Sequence, residues 1–230
     1  MTFPYRNMGW VQAFRGETAE CLVQGLQDRF QACGGVPRRL VFDQAAGVGK
    51  RWGETLRLTE LFARFQAHYG FAVTLCNPYA GHEKGHVEHC IGTWRRHAFV
   101  PPPVIADWAA FNADLLQQSA ARQTRTHYKT GVPLGTLWAE DHAACLALPR
   151  APFAPVRDPR VRTDGDGKFC LDGVHWYSTA PEYAGQEVLV AIGAQTVIPW
   201  TPTGRPIVTH VRQFGHTRTD SVDARTTVPR

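Results

Sequence analysis

The stretch from Pro37 to Phe99 most narrows what this sequence can fold into. Leu40, Val41 and Phe42 form a short unbroken apolar run between Arg38-Arg39 and Asp43, the pattern of a buried strand that stops on a carboxylate. Thr59 then offers a helix cap, Leu61, Phe62, Phe65 and His68 follow at helical spacing, and Gly70 is a stop. Phe71, Val73 and Leu75 alternate as strand residues do. Asn77, Pro78 and Gly81 turn the chain before a helix from about Glu83 to Phe99, which Pro101, Pro102 and Pro103 end. This order is that of an α/β fold, with Asp43 at the C-terminal tip of its strand.

The flanks extend the pattern. Trp10 to Phe14 alternates apolar and polar side chains and is expected to be a strand, while Cys21, Leu22, Leu26 and Phe30 mark a helix that Gly34, Gly35 and Pro37 end. A helix is expected near Asp107, using Trp108, Phe111, Leu115 and Leu116, and another through Leu137 to Leu148. From Pro149 the composition turns to Pro, Gly, Arg and β-branched residues. Short apolar runs at Val174 to Tyr177, Val188 to Ile192, Thr196 to Trp200 and Pro206 to Val211 suggest a small all-β barrel. The stretch from Gly215 to Arg230 has little to bury and is expected to fray. The expected division is an α/β region over 1–103, a helical linker over 104–150, a small β-barrel over 151–214 and a flexible tail over 215–230.

Composition limits the function classes. The 230 residues are 43% hydrophobic, ordinary for a globular chain. Lys and Arg outnumber Asp and Glu by 25 to 20, which permits a polyanionic partner. The six cysteines are scattered without a close pair, against a disulfide framework or a cysteine zinc ribbon. The N-terminus has no signal pattern and no apolar run reaches the roughly 20 residues that cross a bilayer, so a cytoplasmic protein away from membranes is expected.

The helix from Glu83 to Phe99 holds the most chemistry. At helical spacing Val87, Cys90, Ile91 and Trp94 form an apolar stripe, with Lys84, Glu88 and Arg95 along its border. Such a carboxylate can hold a divalent metal while the cations meet phosphates, or it can form an ordinary ion pair one turn along a solvated helix. His82-Glu83-Lys84-Gly85-His86 also spells the zinc metalloprotease motif. Against that reading, a Pro and Gly turn lies just upstream, Gly85 weakens the helix, and His89 is two turns, about 10 Å, from His82, too far to share one zinc.

Gly34-Gly35-Val36-Pro37, Leu40-Val41-Phe42-Asp43, Gly47-Val48-Gly49-Lys50-Arg51, Glu60-Leu61-Phe62, His68-Tyr69-Gly70, Cys76-Asn77-Pro78, Gly81 through Glu88, and Arg95-Arg96 together resemble the IstA-type transposases of insertion sequences. The resemblance implies a ribonuclease H-like integrase core in which Asp43 and Glu88 are the second and third members of an Asp, Asp, Glu triad. Gln44 stands where the family commonly has Asn. It further implies two Mg²⁺ (or Mn²⁺) ions that activate first water and then a DNA 3′-hydroxyl, and DNA contacts from Lys50, Arg51, Lys84, Arg95 and Arg96. The implied partners are element-end and target DNA, an ATPase helper and further copies of the chain on DNA.

The family's first Asp lies on a strand earlier than the one expected at Trp10 to Phe14, and Met1 to Gly9 hold no carboxylate. Glu17, Glu20 and Asp28 fall in or beside the next helix, poorly placed to bridge two metals about 4 Å apart. The expectation is therefore a partial, N-terminally truncated core with its first strand missing, inactive alone. The competing reading is a non-catalytic DNA-binding or assembly module whose Arg157, Arg160, Arg162, Arg205 and Arg212 contact phosphates. Trp176, Tyr177 and Trp200 are expected in the barrel core rather than on a base-stacking surface.

Overall fold

The computed structural model describes residues 1–3, 8–43, 46–52, 55–76, 85–128 and 130–223, with backbone alone for Trp52 and residues 85–90. They fall into two compact units, Met1–Phe14 with Gly25–Phe153, and Arg15–Gln24 with Ala154–Arg230. Unlike the four consecutive segments expected, the units interleave: ten residues near the start belong with the C-terminal strands.

In the first unit, β1 (Thr2–Phe3) and β2 (Met8–Gly9) pair antiparallel. Phe3 and Trp10 pack edge-on against Trp138, at 4.7 and 4.8 Å between centroids. The strand expected at Trp10 to Phe14 is absent, because side chains take the hydrogen bonds a neighbouring strand would supply. The Asn112 amide accepts from Ala13 N at 2.8 Å and donates to Ala13 O at 3.0 Å, and Val11 N donates to the Ser119 hydroxyl.

Helix α1 (Ala19–Cys33) ends as its glycines dictate. Gly34 adopts a φ of 71° and Gly35 N donates back to Phe30 O, a Schellman stop. A Cβ on Gly35 would sit 2.9 Å from Cys145 Cβ. That close approach lets Val36 and Leu146 exchange both backbone hydrogen bonds.

Strands β3 (Arg39–Phe42), β4 (Gly49–Trp52) and β5 (Thr55–Leu58) lead into α2 (Glu60–Tyr69) and β6 (Ala72–Leu75). β3 and β6 pair in parallel, Arg39 opposite Ala72 through Phe42 opposite Leu75, and β4 and β5 form a hairpin that the sequence reading did not anticipate. Thr59 precedes α2 as expected but does not cap it with its side chain; the hydroxyl donates to Gly47 O instead. Gly70, at φ 73°, closes the helix. The apolar stripe of α2 builds an aromatic core: Phe62 and Phe65 are fully buried among Phe30, Tyr69 and Phe71.

Helix α3 (Gly85–Ala98) is followed by α4 (Trp108–Ala121), which Asp107 caps by accepting from Ala109 N and Ala110 N. Helix α5 (Leu134–Ala143) completes this unit and is shorter than expected toward Leu148.

The second unit holds two sheets. β7 (Arg160–Arg162), β10 (Glu187–Ile192), β11 (Thr196–Trp200) and β12 (His210–Val211) form one, in the order β12-β11-β10-β7. β8 (Lys168–Leu171), β9 (His175–Ser178) and β13 (Thr219–Ser221) form the other, in the order β13-β9-β8. Phe169, Leu171, Tyr177, Val188, Val190, Ile192 and Val197, drawn from both sheets, bury into one cluster. β13 corrects the expectation of a frayed tail from Gly215. Its pairing with β9 is reinforced by the Thr219 hydroxyl against His175 Nδ1 at 2.8 Å, by Lys168 on Asp220 at 2.7 Å, and by Arg218 over the Trp176 ring.

Arg15–Gln24 joins these strands through a buried carboxylate. Glu20, 3% exposed, pairs with Arg157 at 2.9 Å and with Arg212 at 3.2 Å, and Arg212 is itself 1% exposed and donates to Gly193 O. Arg212 is therefore a core residue and not the phosphate contact considered above, and Arg157, half exposed, is already engaged. Burial pushes the Glu20 carboxyl upward, but its backbone hydrogen bond, the Thr18 hydroxyl and the two guanidinium groups outweigh this and hold it below the ordinary 4.5. A carboxyl held low contributes stability that is complete above its unfolded value and is lost as pH falls through its folded value. Glu20→Gln, which strands a buried guanidinium, is expected to destabilise the fold by about 3–5 kcal/mol at neutral pH. Urea unfolding measures this, and the gap to the parent protein should narrow below pH 4.5.

Candidate functional site

Asp43 directly follows β3, at the strand's C-terminal tip as expected, and is exposed. Two contacts fix the strand end beside it. Cys76 N donates to Phe42 O at 2.8 Å, carrying the parallel ladder one step beyond β6, and the Phe42 ring meets Phe62 edge-on at 5.4 Å. The carboxylate thus emerges from a strand held on one side by hydrogen bonds and by the aromatic core beneath.

Glu88 falls within the first turns of α3, but its side chain lies outside the described residues, as do Lys84, His82 and Glu83. The zinc-motif reading thus falls on undescribed positions. Among the described residues there is no group of three or more His, Cys, Asp or Glu arranged to hold a metal. Asp43 is a single carboxylate oxygen donor, the ligand type that Mg²⁺ or Mn²⁺ takes.

The far end of α3 is anchored from one side. Trp94 is 5% exposed, with the Arg122 guanidinium 5.0 Å above its ring, and Phe99 packs edge-on against Phe111 at 5.9 Å. Ile91, expected on the same buried stripe, is 45% exposed, so the buried face here is narrower than the apolar pattern. Arg95 and Arg96 are exposed in the last turn, where cations also complement the negative end of the helix dipole.

The β4–β5 hairpin carries a like-charged pair across its strands. Lys50 stands directly opposite Arg57, both exposed, and neither makes an ion pair among the described residues. Like charges facing each other across strands are destabilising. Arg51, opposite Leu56, is exposed as well. Lys50 and Arg51 were singled out in the sequence; Arg57 was not, although its place between Leu56 and Leu58 alternates as a strand requires. The backbone here is tight, since a Cβ on Gly49 would collide with the Arg57 carbonyl and lie 2.8 Å from Leu58 Cα.

The described cysteines are free, and burial pushes the Cys33 thiol up to about 12, protonated at neutral pH and a poor nucleophile. No described helix is long and apolar enough to cross a membrane.

No family model matches the chain. It is similar to the assigned transposase of insertion sequence element IS5376 from Geobacillus stearothermophilus, 30% identical over 82% of this chain and 47% of that protein. It is also similar to the transposase for insertion sequences IS1326/IS1353 from Pseudomonas aeruginosa, 27% identical over 89% of this chain and 40% of the relative. A transposase from Aminobacter aminovorans is 29% identical over 62% of this chain and 28% of its own length. The chain thus spans less than half the length of these relatives.

The Lys50 and Arg57 pair generates a prediction about stability. Lys50→Glu turns a repulsive cross-strand pair into an attractive one and is expected to raise stability by about 0.2–1 kcal/mol, read as a higher thermal midpoint. A lower midpoint would show that Lys50 has a structural partner.

Proposed function

We propose, from its relatedness to the insertion-sequence transposases, that this chain supplies metal-holding and phosphate-contacting residues for cutting and joining DNA at the ends of a mobile element. The relatedness carries the reading, and the position of Asp43 at the tip of a parallel strand supports it. Asp43 and Glu88 hold Mg²⁺ or Mn²⁺, from the tip of β3 and from α3. When bound, such ions activate an attacking water or 3′-hydroxyl and neutralise charge on the scissile phosphate. The protein's own part is to place two carboxylates on separate elements and to surround them with cations for the DNA backbone. Lys50, Arg51 and Arg57 on the hairpin and Arg95 and Arg96 on α3 fill that role, with Lys84 beside them in sequence.

The finer family assignment follows the motif resemblance: an IstA-type protein with a ribonuclease H-like core and a small C-terminal barrel, working with an ATPase helper and as a homo-oligomer on DNA. The purely DNA-binding alternative keeps the same cations and differs in giving Asp43 and Glu88 no metal.

Two measurements separate these readings. If the five exposed cations each neutralise one phosphate, the logarithm of duplex affinity should fall against the logarithm of salt with a slope of about −4.5, and Lys50→Ala should reduce that slope by about 0.9. A flat salt response would sink the DNA reading. Mn²⁺ binding, followed by calorimetry, is expected to be lost in both Asp43→Asn and Glu88→Gln while duplex binding persists. Undiminished Mn²⁺ binding in both variants rejects the metal assignment and favours the non-catalytic module.

A further inference from the structure

The outward face of the four-stranded sheet has a cleft that the reading above does not use. Leu189 on β10 stands opposite Trp200 on β11 and opposite Arg160 on β7, so the three side chains form one row across adjacent strands. Their neighbours in sequence point the other way, with Val188 and Val190 in the buried cluster. Leu189 is 44% exposed, and Trp200 is half-buried on this face rather than in the core where it was expected. Around the row is a cleft of about 360 Å³, lined by Arg160, Glu187, Leu189, Trp200, Thr201 and Pro202.

We propose that this cleft takes one unpaired base of a nucleic acid strand, stacked on Trp200. The inference rests on the DNA reading and adds to it a distinct site and a distinct form of the ligand. The volume lies at the lower end of the ~300–1,000 Å³ typical of small-ligand sites, in keeping with a single base and its sugar. A base presents an apolar flat face and an edge of hydrogen-bond donors and acceptors. The cleft answers with an indole and a leucine for the face, and with the Arg160 guanidinium and the Glu187 carboxylate for the edge.

Charge selects the polyanion. Arg162, opposite Glu187 on the same face, and Arg205, in the turn that follows Trp200, are both exposed. Arg160, Arg162 and Arg205 thus outnumber the carboxylates Glu187 and Asp158 on and beside this face. One wall is preformed: Thr201 N donates to Arg205 O, Arg205 N donates to the Thr201 hydroxyl, and Gly204 closes the turn at φ 75°.

An extended peptide is the poorer occupant. β10, at the centre of the row, is bordered by β7 and β11, so among the described residues the free edge belongs to β7 at the cleft's margin and the cleft floor offers no unpaired strand to a peptide backbone. Paired duplex bases are poorer too, because their faces are already stacked and only phosphates would reach the arginines.

The test compares the whole chain's affinity for a mixed-sequence single-stranded oligonucleotide and for the blunt duplex of the same sequence. Trp200→Ala is expected to weaken single-strand binding by roughly 5- to 150-fold, the range that stacking one base supplies, while Trp200→Phe retains most of it. Leu189→Glu, at an exposed position, should weaken single-strand binding as well without disturbing the fold. Duplex affinity should stay within about twofold in all three variants, since the hairpin and α3 cations carry it. Single-strand binding untouched by Trp200→Ala and Leu189→Glu, or an equal loss for duplex, overturns the proposal. A parent protein that binds duplex but no single strand overturns it while leaving the transposase reading standing; one that binds neither removes both.

Discussion

The first unit is held by the packing of Phe30 against Phe65, with centroids 5.7 Å apart. Phe30 comes from α1 and Phe65 from α2, and both are fully buried. Around them Phe62, Tyr69 and Phe71 meet at edge-on or tilted angles, the arrangement that aromatic quadrupoles favour. The cluster reaches the functional end of the molecule through one further contact, Phe42 on Phe62. Phe42 is the last residue of β3, so the half-buried side chain immediately before Asp43 rests on the core ring of Phe62 while Asp43 itself is exposed. The apolar packing thereby fixes the strand end while the carboxylate that follows it stays exposed.

The arginines divide by partner into those that serve the fold and those that face outward. Arg212 and Arg157 meet Glu20, Arg122 covers Trp94, and Arg38 donates to Ala144 O. These serve the fold. Arg57, Arg160, Arg162 and Arg205 are exposed, and none of them forms an ion pair among the described residues. With a net charge of +5, these exposed arginines are the part of the positive charge that a polyanion can reach.

Local signals made the middle of the chain legible. The strand over Leu40 to Phe42, the helix from Glu60 to Gly70 and the helix start near Asp107 each depend on residues within a few positions of one another, and each is present in the structure, although the strand expected to be buried leaves Val41 59% exposed. Trp10 to Phe14 shows the limit of that method. Its alternation is real, but periodicity cannot reveal that Asn112 and Ser119 from a distant helix will satisfy its backbone. Thr219 to Ser221 carries too little apolar character to read as a strand, and it forms one through His175, Lys168 and Trp176, all far away in sequence. At the site, Asp43 was legible because a strand ends there. Arg212 was misread as a surface cation because nothing beside it in sequence betrays Glu20, and Trp200 was misassigned because alternation gives two faces without saying which is inner.

The Glu20 and Arg212 pair joins residues 192 positions apart, which gives the protein a birth order. At ribosomal rates of about 5–20 residues per second, roughly 10 to 40 s separate the emergence of the carboxylate from that of its guanidinium. Until then Glu20 has only the half-exposed Arg157 to pair with, and Cys21 beside it, buried in the finished fold, still waits for the strands around Ala194. A stalled or prematurely ended chain would thus expose an unfinished helix start near its beginning, a natural mark by which chaperones and proteases can tell unfinished chains from finished ones.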